Sequence, residues 1–163
     1  MDVNIRKISE TGLYHHEVFK ILTEYELARA QRYPNPITLL HISLNLETAQ
    51  PDMLDRLKQL FAGILNTSLR VSDIPAHHDA DFLVLLPMTD GVGGQAVAQR
   101  LIARLKGTRD LPDGEKFKFP IHIGIASHPG GQGITVETLM SQAEAAMKQA
   151  SKQAPEASAL YSG

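Results

Sequence analysis

"IPAHHDADFLVLLP", residues 74–87, is the stretch whose reading decides the fold. Its second half, Phe82 to Pro87, is apolar and β-prone and closes on a proline, the pattern of a buried strand. Its first half sets two histidines and two aspartates into five residues, where the chain has to turn. Asp and His tolerate turn backbone angles. The stretch therefore reads as a hairpin, with strands at 69–77 and 82–87 and "HDAD" between them. A competing reading is a metal site built from His77, His78, Asp79 and Asp81, since imidazole with carboxylate suits Zn²⁺ or Ni²⁺. Neighbours along a strand point to opposite faces, so at most two or three of these groups could converge. The turn is the preferred reading, and no metal is assigned.

Outward from the hairpin, helices and strands alternate. Val18, Ile21, Leu22, Tyr25 and Ala28 recur at helical spacing between Gly12 and Tyr33, and Pro34 and Pro36 end that helix. "ITLLHISL", residues 37–44, predicts a central strand. Pro51 opens a helix whose face is Leu54, Leu57, Leu60, Phe61, Ile64 and Leu65. Asp90 is placed to cap a helix from Gly91 to Lys106. Gly91, Gly93 and Gly94 do not form a phosphate loop, since no GK[ST] follows them. Residues 119–127 predict a strand in which Pro120 argues for an edge or a bulge. A last helix begins at Thr135 or Val136 and faces inward with Leu139, Met140, Ala143, Ala146, Met147 and Ala150. "PEASALYSG" holds a short final strand. The order α-β-α-β-β-α-β-α-β implies one α/β sheet with helices on both faces.

Composition removes several function classes. The chain has 163 residues, 43% hydrophobic and 21% charged, which fits one soluble globular domain spanning 1–163. The net charge of −2 offers no basic stripe for nucleic acid. There is no cysteine, hence no disulfide framework, thiol chemistry or Cys-type zinc site. No apolar run is long enough for membrane insertion. "MDVNIRKISE" lacks an apolar signal-peptide core, so a cytoplasmic location is expected.

Motifs in series along the chain resemble the GGDEF domain of bacterial diguanylate cyclases. "TGLYHHEVFKILTEYELARAQRYPNPITLL" is similar to the family's opening "LTGLxNRRxFxxxLxxELxRAxRxxxPLxLL". "LNTSLRVSD", "DFLVLLPMTD", "IHIGIASHPG" and "QAEAAMKQASK" resemble its later segments, in the family's order. The resemblance covers roughly Thr11 to Lys152. It implies a nucleotidyl-cyclase-like fold, a central mainly antiparallel sheet wrapped by helices. It also implies a chain excised from a larger signalling protein, with a second copy or an adjacent sensor domain as partner.

That family joins two GTP molecules into cyclic di-GMP, using divalent ions held by carboxylates. The resemblance places the first metal ligand at Ser43, in a "DID"-like segment Ser43-Leu44-Asn45. It aligns the GGDEF letters with His78-Asp79-Ala80-Asp81-Phe82, so the second ligand is Ala80 and both glycines carry side chains. The nucleotide-binding segment shrinks by about five residues to "LETAQPD". A lysine and an arginine of the family fall on Ser151 and Pro155. The expectation is a degenerate GGDEF domain with no catalytic residues and no cofactor, regulatory in cyclic di-GMP signalling. Its competitors are an active cyclase with rearranged ligands and a purely protein-binding module. "RVSD" retains the family's RxxD inhibitory site, so Arg70 and Asp73, with Arg100 from the following helix, are expected to bind cyclic di-GMP. Arginine's fork of donors matches phosphate and base acceptors, and Asp73 is expected to receive a guanine edge.

Overall fold

The computed structural model describes residues 12–44, 51–107, 120–153 and 156–162. Nine elements follow in the expected order among them: α1 (His16–Arg32), β1 (Ile37–Leu44), α2 (Pro51–Ser68), β2 (Ile74–His78), β3 (Asp81–Pro87), α3 (Gly91–Gly107), β4 (Ile121–His128), α4 (Val136–Ser151) and β5 (Glu156–Leu160). The strands form one sheet in the order β2-β3-β1-β4-β5. Every pairing is antiparallel except that of β4 with β5.

β1 lies at the centre and is buried on both faces, as its unbroken apolar run requires. Alternation along the strand separates two cores. Leu40, Ile42 and Leu44 face Leu57, Phe61 and Leu65 of α2 and Leu101 of α3. Ile37 and Leu39 face Phe19 and Leu27 of α1 and Leu139 and Ala143 of α4. Side-chain oxygens receive the free amides at two helix starts: Asp90 Oδ1 accepts from Gly93 N at 2.8 Å, and Thr135 Oγ1 from Thr138 N at 3.1 Å. The outer edge of β2 is covered by the residues ahead of α1. Tyr14 N donates to Pro75 O and His77 N to Tyr14 O, so the middle of that edge is paired.

Several expectations need correction. The inward stripe of α1 is Phe19, Thr23, Leu27 and Ala30, not the Val18–Ala28 set; Ile21 and Tyr25 face solvent. Both sets have helical spacing, and the one carrying Phe19 and Leu27 packs into the core while Tyr25, with its polar hydroxyl, stays outside. β2 starts at Ile74 rather than 69, because Leu69 to Asp73 form a turn closed by Asp73 N donating to Arg70 O. His78 and Asp81 belong to the strands and face each other, leaving a two-residue turn of Asp79 and Ala80. β4 is an interior strand, so Pro120 marks neither an edge nor a bulge. It stands one residue before the first paired position, where no ladder amide is needed. Met147 is half-buried rather than buried.

α4 lies close against β4 because Gly124 has no side chain. A Cβ there would come within 2.0 Å of Ala143 O and 2.2 Å of Met147 N. Gly124→Ala is therefore expected to cost about 3 kcal/mol or more by overpacking. Gly63, on α2, has nothing within 4 Å of a Cβ. Gly63→Ala is expected to stabilise by about 0.5–1 kcal/mol through helix propensity. Urea unfolding of both variants measures the contrast, and equal midpoints would contradict the close approach of α4.

Candidate functional site

The hairpin gathers its polar groups on the face that carries α1 and α4. His41, in the middle of β1, shares the parity of Leu39 and is only 2% exposed. It donates from Nε2 to Asp81 Oδ2 at 2.7 Å. His78 lies beside this pair, its ring 5.7 Å from that of His41. His16, the first residue of α1, stacks on His78 at 4.6 Å, and their Nδ1 atoms share a hydrogen bond of 3.1 Å. One imidazole of that pair donates through Nδ1 and the other accepts there. His77 points the other way and packs on Phe82. A cleft of about 110 Å³ opens beside His41 and His78, closed by Met140, Ser141 and Glu144 of α4.

These groups do not make a cation site. Among the described residues no three His, Asp or Glu side chains are placed to hold one metal ion. Ser43, opposite His122 in the β1–β4 ladder, offers a hydroxyl, and Ala80 at the turn a methyl. Neither is a carboxylate of the kind Mg²⁺ prefers. Asp79 holds a left-handed φ of 53°, a conformation open to glycine and tolerated by Asp. Asn45 lies outside the described residues.

The second cluster is the turn between α2 and β2. Asp73 is buried, and its carboxylate is fully used inside the chain. Its Oδ2 accepts from Arg70 N at 2.8 Å, and its Oδ1 accepts from Arg70 Nη2 at 3.0 Å. Pro87 O at 2.9 Å and Thr89 Oγ1 at 2.8 Å lie within hydrogen-bond reach of the same Nη2 and share its second hydrogen. The guanidinium is thus locked from one side while the side chain stays 54% exposed. Arg100 reaches the same end of the molecule by another route, donating from Nη2 to Ser68 O at the end of α2. Arg104 donates beside it to Thr67 Oγ1 and Ser68 Oγ. α2 has no basic residue in its last turn, so these two arginines serve its free carbonyl end. The structure brings Arg70 and Asp73 together and sets Arg100 near them. It turns Asp73 inward, away from the guanine edge expected of it.

The model of the family described as "Diguanylate cyclase, GGDEF domain" matches residues 9–156. The chain belongs to the GGDEF-domain family. It is a GGDEF domain related to those of diguanylate cyclases. It superposes on the isolated GGDEF domain of TpbB (YfiN) from Pseudomonas aeruginosa with a TM-score of 0.82 and 26% identity, over 93% of this chain and 92% of that one. Two further structures show the same fold. The GGDEF domain of DgcB from Caulobacter crescentus, solved in complex with c-di-GMP, matches at TM-score 0.83 and 12% identity, over 92% of each chain. Diguanylate cyclase SiaD from P. aeruginosa, solved with its activator SiaC, matches at TM-score 0.86 and 20% identity. That match covers 98% of this chain and 64% of SiaD. No curated protein sequence matches the chain. Among the described residues no helix is long and apolar enough to cross a membrane.

His41 and His16 are the site residues that sequence reasoning missed. For His41 the available signal was a histidine at an inward position of a mostly apolar strand, which demands a buried partner. Burial lowers the pKa of His78, and the imidazoles of His16 and His41 lower it further; Asp79 and Asp81 oppose them. His77 is lowered by burial, then by His15 and Lys58. The unfolded chain takes up these protons at the ordinary histidine value of about 6.5, before the folded chain does. Stability is therefore fully present above that pH and is lost as pH falls through the lower folded values. The melting temperature is expected to drop between pH 7.5 and 5.5, and by less in His78→Gln. Equal drops in the two proteins would show that the stacked pair carries none of the effect.

Proposed function

We propose that this GGDEF domain does not cyclise GTP and acts in cyclic di-GMP signalling as a degenerate, regulatory domain that senses the nucleotide. What carries this reading is that Ser43 and Ala80 stand where the resemblance places the family's metal-binding carboxylates. Without two charged oxygens for a hard cation, the attacking hydroxyl and the triphosphate have nothing to hold and polarise them. A triphosphate at the turn would instead meet Asp79 and Asp81, and like charges at that range repel.

Cyclic di-GMP is assigned to the other end of the sheet, at Arg70. Asp73 acts there as a positioning residue. It holds the guanidinium at a fixed angle, so a phosphate or guanine acceptor meets a donor fork already ordered. Arg100 adds positive charge at the same end. The reading places the domain in the bacterial cytoplasm, next to a sensor domain or a second copy that receives the signal. An active cyclase with rearranged ligands would have to draw on Asp79, Asp81 and the histidines, and a purely protein-binding module would bind no nucleotide.

Two experiments test it. Purified protein with GTP and Mg²⁺ or Mn²⁺ is expected to yield no cyclic di-GMP above a heat-treated control; product formation would sink the reading. Calorimetry is expected to show cyclic di-GMP binding that Arg70→Ala weakens at least tenfold, about 1.4 kcal/mol. The double variant Ser43→Asp with Ala80→Glu is expected to remain inactive, because the shortened segment at 45–52 leaves the guanine unplaced and positioning supplies much of such a rate. Turnover by that variant would show that the metal pair alone had been missing.

A further inference from the structure

α1 carries a second stripe, which the fold leaves open. Its core stripe is Phe19, Thr23, Leu27 and Ala30. Val18, Ile21, Tyr25, Ala28 and Arg32 follow one another in steps of three, four, three and four. At about 100° per residue they stand about half a revolution away from the core stripe. Val18 is half-buried, Ile21 is 54% and Tyr25 67% exposed, and Ala28 and Arg32 face solvent. A helix that is apolar on two opposite sides has a contact to make on each. Steps of three and four mark helices paired side by side. Val18, Tyr25 and Arg32 take one set of seam positions, and Ile21 and Ala28 take the other.

We propose that the occupant of this stripe is the same stripe of a second copy of the chain, the two α1 helices lying parallel about a twofold axis. The charges beside the stripe choose that partner and that direction. One flank carries Glu17 and Glu24, and the other carries Leu22 and Arg29. In a parallel pair each flank meets the opposite flank of the other helix. Glu24 then faces the partner's Arg29, twice by symmetry. The Arg29 side chain is 76% exposed, and Glu26 touches it only at Nη1, at 3.2 Å. An antiparallel pair that overlaps the same apolar residues would set Glu24 against the partner's Glu24, and like charges repel. Ala28 lets the backbones approach, and Arg32 closes the end of the seam with its guanidinium 5.5 Å from the Tyr33 ring. The 17 residues of α1 make a rod about 25 Å long and about 10 Å wide. Two such faces bury less than the roughly 1,200 Å² of a lasting interface. Two heptads are also too few for a coiled coil that stands alone. The pair therefore forms and parts readily, with a Kd of about 10–500 µM. It gives the second copy a defined seat and needs no nucleotide.

The test is sedimentation velocity of the full chain without nucleotide, from about 5 to about 500 µM, across the Kd range given above. Wild type is expected to pass from monomer to dimer. Ile21→Lys is expected to weaken the dimer at least about tenfold, since it sets two cations on the seam. Glu17 lies one turn before that lysine and supports the helix, and circular dichroism checks the fold. Glu24→Arg and Arg29→Glu are each expected to weaken the dimer about two- to tenfold, and the double exchange to return it to within about twofold of wild type. The chain has no cysteine, so a thiol placed at one position reports on that position alone. A parallel pair sets the thiols of Ile21→Cys side by side. An antiparallel pair holds those Cα atoms about 10 Å apart, beyond the reach of a disulfide. Under mild oxidation Ile21→Cys is expected to cross-link, and Lys148→Cys, on the exposed side of α4, is not. A monomer at every concentration overturns the pairing and leaves the stripe to a helix of another protein. A dimer that Ile21→Lys leaves unchanged overturns it too, and so does a dimer in which Ile21→Cys fails to cross-link. None of these outcomes touches the nucleotide assigned to Arg70, which calorimetry tests separately.

Discussion

β1 is the constraint on which the rest depends. It pairs on both edges and is buried on both faces, so each of its side chains is committed to one of two cores. That commitment assigns α2 and α3 to one side and α1 and α4 to the other. The same alternation sends His41 toward α4, where its only acceptable neighbour is a group that can take its proton's hydrogen bond. Asp81 supplies it. A buried imidazole without that partner would cost about 1–3 kcal/mol. The pair therefore ties the turn end of the hairpin to the centre of the sheet.

Much of the architecture was legible because its signals were local and mutually consistent. An apolar strand ended by a proline, aspartate and threonine caps, and a proline at the start of α2 each point to one element and agree on the order. The inner stripe of α1 was not legible. Two helical stripes coexist in that sequence, and only packing against β2, β3 and α4 decides which is turned inward. The extent of β2 was misjudged for a related reason. "LRVSD" looks extended, but the Asp73 carboxylate bonds to the Arg70 amide and folds the segment into a turn. Site legibility was more uneven. Family motifs located Ser43, Ala80 and Arg70 by alignment, whereas the stacking of His16 on His78 joins residues 62 apart in sequence, which no spacing reveals.

Arg70 and Asp73 make an ion pair of a particular kind. An exposed pair three residues apart usually contributes little to stability, since water screens it. Here the acid is buried and the base is not. The carboxylate's free energy is met almost wholly by this turn, while the guanidinium keeps an open side. The pair is thus structural at one end and available at the other. That division explains how "RVSD" shapes a loop while leaving a solvent-facing donor, with no conflict between the two roles.

The cover over the edge of β2 has a mechanical consequence. Two backbone hydrogen bonds join Tyr14 to Pro75 and His77, in parallel alignment with the strand. A pull on the chain ahead of Gly12 loads those bonds in shear along β2 before it reaches α1. The load passes along the strand toward the tight turn at Asp79 and, through Asp81, to the buried imidazole of His41. Those two hydrogen bonds thus tie the chain entering α1 directly to the strand that leads into the hairpin turn.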